Sequence, residues 1–377
     1  MTKVFDLAII GTGSVGSAAG YYASKNGLDV LELDLARPPH DQGSHHGQTR
    51  IIRHAYGEGA KYLPLVLKAQ TLWQDLQEQS GSDIFHQTGV LNVGPKDAEF
   101  ITNVAKTAEE FDLPVDYLTA AEIKKRWPDW KFDDDYRGIF EKDSGYLLSE
   151  NAIRAYLKGA EANGITQDFS AKVLSVKQVE SDLVEIKTEK QTYLAHHVAV
   201  TAGTWAKELL PNLPIQPLRK VFGWFKIKDH HLDESEGFSC FTVETKNGET
   251  YYGFPGQDDK IKIGHHDGGQ PIDKREGRLP YGEYESDLHE VDELLTNHLA
   301  GTDGLDHGAA CTYDLSPDED FVIDQVPGQP NIQVVTGLSG HGFKFASVLG
   351  KIVADRAQNK ADEFDLEPFR INRFNQK

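Results

Sequence analysis

Residues 4–34 read VFDLAIIGTGSVGSAAGYYASKNGLDVLELD. Val4–Ile10 is an apolar run broken only by Asp6, and it predicts a buried parallel strand. Gly11-Thr-Gly13-Ser-Val-Gly16 follows as a turn, and 14–26 predicts a helix. That helix carries Ser17, Ala18, Ala19 and Gly20 where it must press against a sheet. A second strand is predicted over 29–33, ending at Asp34. Asp34 stands 23 residues after Gly11, close to the spacing of an acid that holds a ribose hydroxyl. Gly11 permits the tight turn, Gly13 lets backbone approach a pyrophosphate, and Gly16 allows close helix–strand packing. The helix N-terminus, opening at Ser14, offers N–H groups to the phosphate charge.

A second glycine turn, Gly337-Leu-Ser-Gly340-His-Gly342-Phe-Lys344, lies near the other end of the chain. A nucleotide site closed by both ends implies a dinucleotide domain with the rest of the protein inserted into it. That arrangement belongs to flavoenzymes more than to nicotinamide dehydrogenases. Cys311, one of two cysteines, precedes the second turn.

At 377 residues the chain supports a large core in one or two domains. Mean hydropathy of −0.49 indicates an ordinary soluble protein, and no apolar stretch approaches the ~20 residues of a membrane span. No secretory signal, lipidation motif or peroxisomal address is evident, and Cys240 and Cys311 make no disulfide framework. A cytoplasmic monomer is expected. The formal charge of −20 argues against nucleic acid or an anionic membrane as partner. An acidic substrate therefore needs a local concentration of bases. GSHHGQTRIIRH (43–54) supplies one, with His45, His46, Arg50, Arg53 and His54 and no acid. Met1 is the sole methionine, which composition drift explains most simply.

Further along, helices are predicted over 62–79, 97–112, 120–126, 151–163, 286–299 and 343–358. Strands are predicted within 169–192 and over 197–201, 217–228, 260–266, 309–323 and 332–336, with a surface loop over 128–135. Residues 241–252 read as a hairpin around Asn247-Gly248, a type I′ signal. The fold class is α/β: a Rossmann-like dinucleotide domain formed by 1–80, 145–212 and 305–377, and an antiparallel-sheet substrate domain formed by 81–144 and 213–304.

GSHHGQTRIIRHAYGEG (43–59), YYGFP (251–255), KIGHH (262–266), GAACTYDLSPDEDFVID (308–324) and GLSGHGFKFASVLG (337–350) closely resemble the monomeric sarcosine oxidase family of flavin amine oxidases. YLPLVLKAQTLW, TAGTWAKELLPNLPIQPLRKVF and FDLEPFRINRF are most similar to the branch of that family that demethylates N-methyl-L-tryptophan. The resemblance implies one FAD per chain, covalently attached at Cys311 through a thioether to the flavin 8α carbon. A lone strand cysteine would otherwise read as a small buried hydrophobe, as Cys240 does.

The same resemblance implies a site. Arg53 meets the substrate carboxylate with Lys344 as second anchor, whereas an isolated RxxR usually reads as a solvated face. Arginine suits that task because its planar fork binds both oxygens. Lys344 is a cation at a helix start, an unfavourable place that invites a functional reason. Arg50 lies near the flavin ring. Lys262, which by alternation with Lys260 reads as solvent-facing, sits where O₂ is activated. Tyr252, His266 and Tyr313 line the substrate cavity. Ser14, Ser44, His45, His46, Gly340 and Gly342 join the cofactor side. Adjacent histidines rarely reach one ion together, so no metal is expected. His265 touches either selectivity or the surface. The implied partners are an N-methyl amino acid and O₂, and the products L-tryptophan, formaldehyde and H₂O₂. Sarcosine or another secondary amino acid, such as pipecolate or a glycated amino acid, is the alternative substrate. A nicotinamide-dependent dehydrogenase and a non-catalytic nucleotide-binding protein are the rivals from other classes.

Overall fold

Val4–Ile10 forms a strand in the computed structural model, which describes residues 3–228 and 230–375. It pairs in parallel with Val30–Leu33 on one side and Thr192–Val200 on the other. Thr166–Asp168 extends the sheet in parallel beyond Val30–Leu33. Gln329–Thr336 adds a parallel strand to the far half of Thr192–Val200, and Val322–Val326 pairs with it antiparallel. Val173–Glu180 and Leu183–Thr188 complete this eight-stranded sheet as an antiparallel edge.

Both faces of the sheet are covered, as a parallel sheet requires. Leu7 and Ile9 point into a core shared with helices Ser14–Lys25, Leu63–Ser80, Ser149–Ala162 and Ala346–Arg356. Ala8 and Ile10 point into a second core with Val184, Ile186, Ala206 and Leu213. The small residues of the first helix serve two contacts. A Cβ on Gly20 would lie 2.0 Å from the Glu32 carboxylate of the sheet, and one on Gly350 would lie 2.4 Å from the Cβ of Ala18. The first and last helices thus touch nearly backbone to backbone, which ties the two ends of the chain together.

A nine-stranded sheet is built from the middle of the chain. Its order runs Gln270–Pro271, Gln216–Ile227, Lys260–His265, Thr250–Gly253, Cys240–Glu244, Val90–Pro95, Tyr136–Glu141, Val115–Thr119, with Thr302–Leu315 also on Gln216–Ile227. Every pairing is antiparallel except Cys240–Glu244 with Val90–Pro95. Thr49–Ile52, Gly145–Leu148 and Phe85–His86 make a small third sheet.

Four local expectations are corrected. The helix expected over 286–299 is broken into a 3₁₀ turn, Glu285–Leu288, and a short helix, Asp292–Asn297. Asp287 is turned inward to pair with Arg219 at 2.7 Å, both side chains fully buried, and a straight amphipathic helix would not aim it there. The strand expected over 309–323 runs instead over Thr302–Leu315, and Ser316 to Phe321 make a turn. The hairpin is not type I′, because only Gly248 has a positive φ, at +83°. Gly248 N–H donates to Thr245 C=O at 3.0 Å, giving a type I turn followed by a left-handed glycine. Segment 128–135 is not simply surface. Trp130 is buried and stacks on Phe132 and Phe238.

Candidate active site

The first glycine turn is a cradle in which side chains do not fit. Gly11 has φ +90°, and a Cβ there would lie 2.6 Å from Ala202 Cα. Helix Ser14–Lys25 starts without a side-chain cap, so its first N–H groups stay open to an anion. Asp34 accepts N–H bonds from Thr12 at 2.7 Å and Leu35 at 2.7 Å, with His40 at 3.4 Å. Burial opposes its charge, but His40 and these N–H groups hold the carboxyl below its ordinary value.

A cavity of about 540 Å³ runs from this turn. Gly11, Gly13, Ser14, Asp34, Ser44, His45, Arg50, Arg53, Tyr252, His266, Cys311, Tyr313, Gly340, Gly342 and Lys344 all line it. Fifteen residues of the chain lie between Asp34 and Arg50, yet both line the same cavity. Ser44 Oγ donates to Thr312 C=O at 2.7 Å, pinning its loop to the strand that bears Cys311. Arg50 donates to the carbonyls of Ser44, His46 and Thr49 at 2.6–2.7 Å, so its charge is spent on holding the loop. His45 Nε2 accepts the His40 backbone N–H at 3.1 Å, and burial, then His40, push its pKa down to about 3.

Arg53 sits on a backbone held by a carboxylate. Arg53 follows strand Thr49–Ile52, and the next two N–H groups, of His54 and Ala55, donate to buried Glu141 at 2.7 and 3.0 Å. Ser144 and Asn92 donate to the same carboxylate. Arg53 itself is buried, its Nη2 donating to both Glu58 carboxylate oxygens at 2.7 and 2.8 Å and its Nη1 to Ala55 C=O at 3.3 Å. Burial works against the Glu58 charge, but Arg53, His341 and Lys344 bring its carboxyl down to about 2. Lys344 donates to Tyr56 Oη at 3.2 Å and to His341 C=O at 2.9 Å, leaving one ammonium N–H uncommitted. Burial, then Arg53, lower Lys344 to about 7 against the pull of Glu58. The Tyr56 hydroxyl donates to His341 Nδ1 at 2.7 Å, and His341 Nε2 faces Glu319 C=O at 3.2 Å. His341, pushed to about 3 by burial and neighbouring cations, stays neutral in that chain.

Cys311 is buried and free. Burial raises its thiol against Arg50, Lys220, Lys262 and Arg278, which draw it down. Tyr313 lies beside it, and its ring is 5.7 Å from that of His266. A Cβ on Gly340, at φ +80°, would lie 2.3 Å from the Tyr313 ring. An FAD-sized group fits these residues: a phosphate cradle at one end, a buried thiol and cations at the other, and one continuous cavity between.

Three expected site residues are not walls of this cavity. Gly16 is buried in the helix–strand contact, where a Cβ would lie 2.1 Å from Gly11 C=O. His46 is held with its Nε2 buried and without a hydrogen-bond partner. Burial, then Arg50, bring its pKa to about 4. Lys262 is buried, not solvent-facing. Its Nζ donates to the carbonyls of Gly47 and Thr49 at 2.5 and 3.0 Å and lies 4.6 Å from the Phe222 ring centre. Burial, then Arg50, lower its pKa well below the ordinary value. It borders a second cavity of about 330 Å³ with Thr49, Glu150, Trp224 and Phe254. His265 lines neither cavity, standing between Glu249 at 2.6 Å and Glu290 at 3.3 Å and stacked on Tyr251. Glu249, His265 and Asp267 lie close enough to share an ion, but these hydrogen bonds already occupy them.

Sequence reasoning missed Glu58, Tyr56, His341, His40 and Glu244. Glu58 carried a signal, as the first acid after the basic run. Tyr56 and His341 fall inside the quoted runs 43–59 and 337–350 but were given no role, and Tyr56 is buried behind the cavity wall; His40 and Glu244 carry no signal, since only folding brings them to the cavity.

Residues 6–356 match the family described as FAD dependent oxidoreductase. The chain is 52% identical over 372 residues to N-methyl-L-tryptophan oxidase of Salmonella heidelberg (strain SL476), covering 99% of this chain and 100% of that one. It is 52% identical over 371 residues to N-methyl-L-tryptophan oxidase of Escherichia coli (strain K12), covering 98% and 99%. The resemblance read from separate motifs therefore extends along the whole chain. Among solved structures, NikD, an amino acid oxidase essential for nikkomycin biosynthesis, superposes with a TM-score of 0.85 at 20% identity over 98% of both chains. Glycine oxidase from Geobacillus kaustophilus does so at 0.77 and 20%, over 99% of both. At such identities the likeness concerns the fold alone. From its glycine turn to its last helix, this chain is a member of the FAD dependent oxidoreductase family.

Proposed function

We propose that this protein is an FAD-dependent oxidase of N-methyl-L-tryptophan, consuming O₂ and one water, which hydrolyses the imine formed by oxidation, and releasing L-tryptophan, formaldehyde and H₂O₂. The observation that carries the reading is one cavity lined by the dinucleotide turn, Cys311 and the buried cations Arg53 and Lys344. The relatives' shared name supports the choice of substrate. Bound FAD supplies the acceptor for a hydride equivalent from the N-methyl carbon and hands the electrons to O₂.

The chain's own residues bind and orient. The substrate carboxylate takes the place Glu58 holds on Arg53 Nη2, with the spare N–H of Lys344 as second donor. Fixing the carboxylate at two points sets the N-methyl group's position, which is the main service a protein renders such a reaction. Tyr252, Tyr313 and His266 wall the reacting centre and exclude water. Cys311 is the attachment point for FAD, and Gly11, Gly13, Gly16, Ser14, Asp34, Ser44, His45, His46, Arg50, Gly340 and Gly342 frame its site. Lys262 serves the oxygen side as a fixed cation.

In the same reading 1–80, 145–212 and 305–377 bind the dinucleotide, and 81–144 and 213–304 hold substrate. Sheet membership supports this division apart from Thr302–Leu315, which runs in the large mixed sheet, and Phe85–His86, which pairs with Gly145–Leu148. The protein acts as a cytoplasmic monomer. No described helix is long and apolar enough to cross a membrane.

The test is kcat/KM by peroxide release for N-methyl-L-tryptophan and sarcosine. An aromatic side chain buries about 150–250 Å², so the larger substrate is expected to win by several kcal/mol. A higher value for sarcosine overturns the substrate and leaves the family untouched.

A further inference from the structure

Segment 47–49 is gripped from two sides. Gly47 and Gln48 are left-handed in succession, at φ +92° and +69°. Glycine takes that conformation freely, but Gln48 is strained there by its Cβ, so something must hold the turn. On one side stands the start of helix Ser149–Ala162. Glu150 Oε1 accepts the N–H groups of Gly47 at 3.0 Å and Gln48 at 3.5 Å. Ser149 donates through its N–H and its hydroxyl to Gln48 C=O at 2.8 and 3.2 Å. On the other side stands Lys262, whose Nζ donates to Gly47 C=O at 2.5 Å, Thr49 C=O at 3.0 Å and Thr49 Oγ1 at 3.3 Å.

The peptide joining Gly47 to Gln48 therefore lies between opposite charges. Its carbonyl meets the Lys262 ammonium, and its N–H points to the Glu150 carboxylate. Glu150 and Lys262 also line the second cavity together. All three ammonium N–H groups of Lys262 go to neutral oxygens, a weak support for a buried cation. Burial and Arg50 work against its charge, and the Glu150 carboxylate favours it. The other titratable groups around it change little near neutrality. His46 stays neutral, and burial keeps Cys240 and Cys311 as thiols. Asp258, Lys260 and His307 line the same cavity, the last two paired with Asp306.

We infer that Glu150 is a positioning residue for the oxygen half-reaction: it holds the strained turn so that its carbonyls fix the Lys262 ammonium, and its charge supports that ammonium across one peptide. This rests on the reading of Lys262 as the cation that serves O₂. A carboxylate that merely tied down a helix start would leave the chemistry of Lys262 untouched when its charge alone is removed.

Glu150→Gln keeps an oxygen for the two N–H groups and drops the charge, whereas Glu150→Ala drops both. Reduced holoenzyme is mixed with O₂ in stopped flow across pH. Wild-type reoxidation is expected to fall as pH climbs through the titration of Lys262, because the cation is lost. In Glu150→Gln that fall should move about one unit toward acid, with the acid-limit rate near wild type. In Glu150→Ala the acid-limit rate should also drop about tenfold, since the turn is no longer held, and anaerobic flavin reduction should change much less. A readout without turnover comes from isotope-labelled lysine, by following the ε-carbon resonance that vanishes in Lys262→Met. Its titration midpoint should move down by the same unit in Glu150→Gln. An unmoved midpoint in Glu150→Gln overturns the inference, and that arm stands even if Glu150→Ala does not fold. Equal losses in both half-reactions of Glu150→Ala also overturn it. Lys262→Met that reoxidises like wild type overturns the oxygen role of Lys262 and the inference together, leaving the oxidase reading in place.

Discussion

Lys344 is the residue whose chemistry is most sensitive to its surroundings. Ammonium in water titrates near 10.4, but burial and Arg53 bring this one to about 7. Below that value it is a cation, and above it a neutral amine. A carboxylate inhibitor with no titrating group of its own near neutrality, such as indole-3-acetate, should therefore bind tightest at acid pH. Its Ki is expected to rise about tenfold per unit as pH climbs above 7, and Lys344→Met should show a flat, weaker profile. A wild-type Ki flat between pH 6 and 9 would contradict this. Arg53→Met should weaken the same inhibitor by about 2–5 kcal/mol at any pH in that range, since guanidinium does not titrate there. Much of the residue-scale site was legible beforehand because its members fall in dense local motifs: Arg50 and Arg53 in one run, Gly340, Gly342 and Lys344 in another. Glu58 escaped because a lone acid in a loop says nothing about which cation it will meet. The buried state of Lys262 escaped because alternation with Lys260 describes a strand's faces, not which face the rest of the protein covers.

Elements position these groups through contacts that lie far apart in sequence. Glu141 sits at the end of strand Tyr136–Glu141 and holds the backbone that carries Arg53. Glu141→Ala leaves at least two buried N–H groups without acceptors, at about 1–3 kcal/mol each. It should lower the unfolding free energy of the holoenzyme in urea by roughly 2–5 kcal/mol and raise KM more than it lowers kcat. A variant as stable as wild type would show that water replaces the carboxylate freely. Strand Lys260–His265 places Lys262 against the Gly47–Thr49 segment. Lys262→Met should slow reoxidation by O₂ in stopped flow by about 10²–10³-fold, and flavin reduction much less. Equal losses in both would point to a disrupted site. At this scale periodic helices and buried strands were readable, such as Ala120–Arg126, whose bounds match expectation. The broken helix around Asp287 was not, because its partner Arg219 lies on a distant strand. The three-stranded sheet was hidden too, since Thr49–Ile52 reads as a basic run until Gly145–Leu148 pairs with it.

At the scale of the molecule, cofactor binding and folding share one cavity. On the proposed attachment at Cys311, wild-type protein should keep its yellow colour in an acid pellet and Cys311→Ser should release it, and a colourless wild-type pellet would overturn the attachment. In Cys311→Ser, FAD at about 100 times its Kd should add about 2.7 kcal/mol to the unfolding free energy. Walls come from both ends of the chain and from the mixed sheet, so the gain should appear in the whole unfolding transition and not in a part of it. A gain limited to one of two separate transitions would mean that only one region senses the cofactor. The close contact of the first and last helices, Gly350 against Ala18, carries a further meaning in time. On the ribosome the turn at Gly11, Asp34 and the Ser44 loop emerge early and meet no partner. Cys311, Gly340 and Lys344 are made last. A growing chain can offer FAD only half a cradle, so capture of the cofactor is an event of the finished polypeptide. On the proposed function, a product cut short before the second turn is then born without flavin and without the oxidase activity.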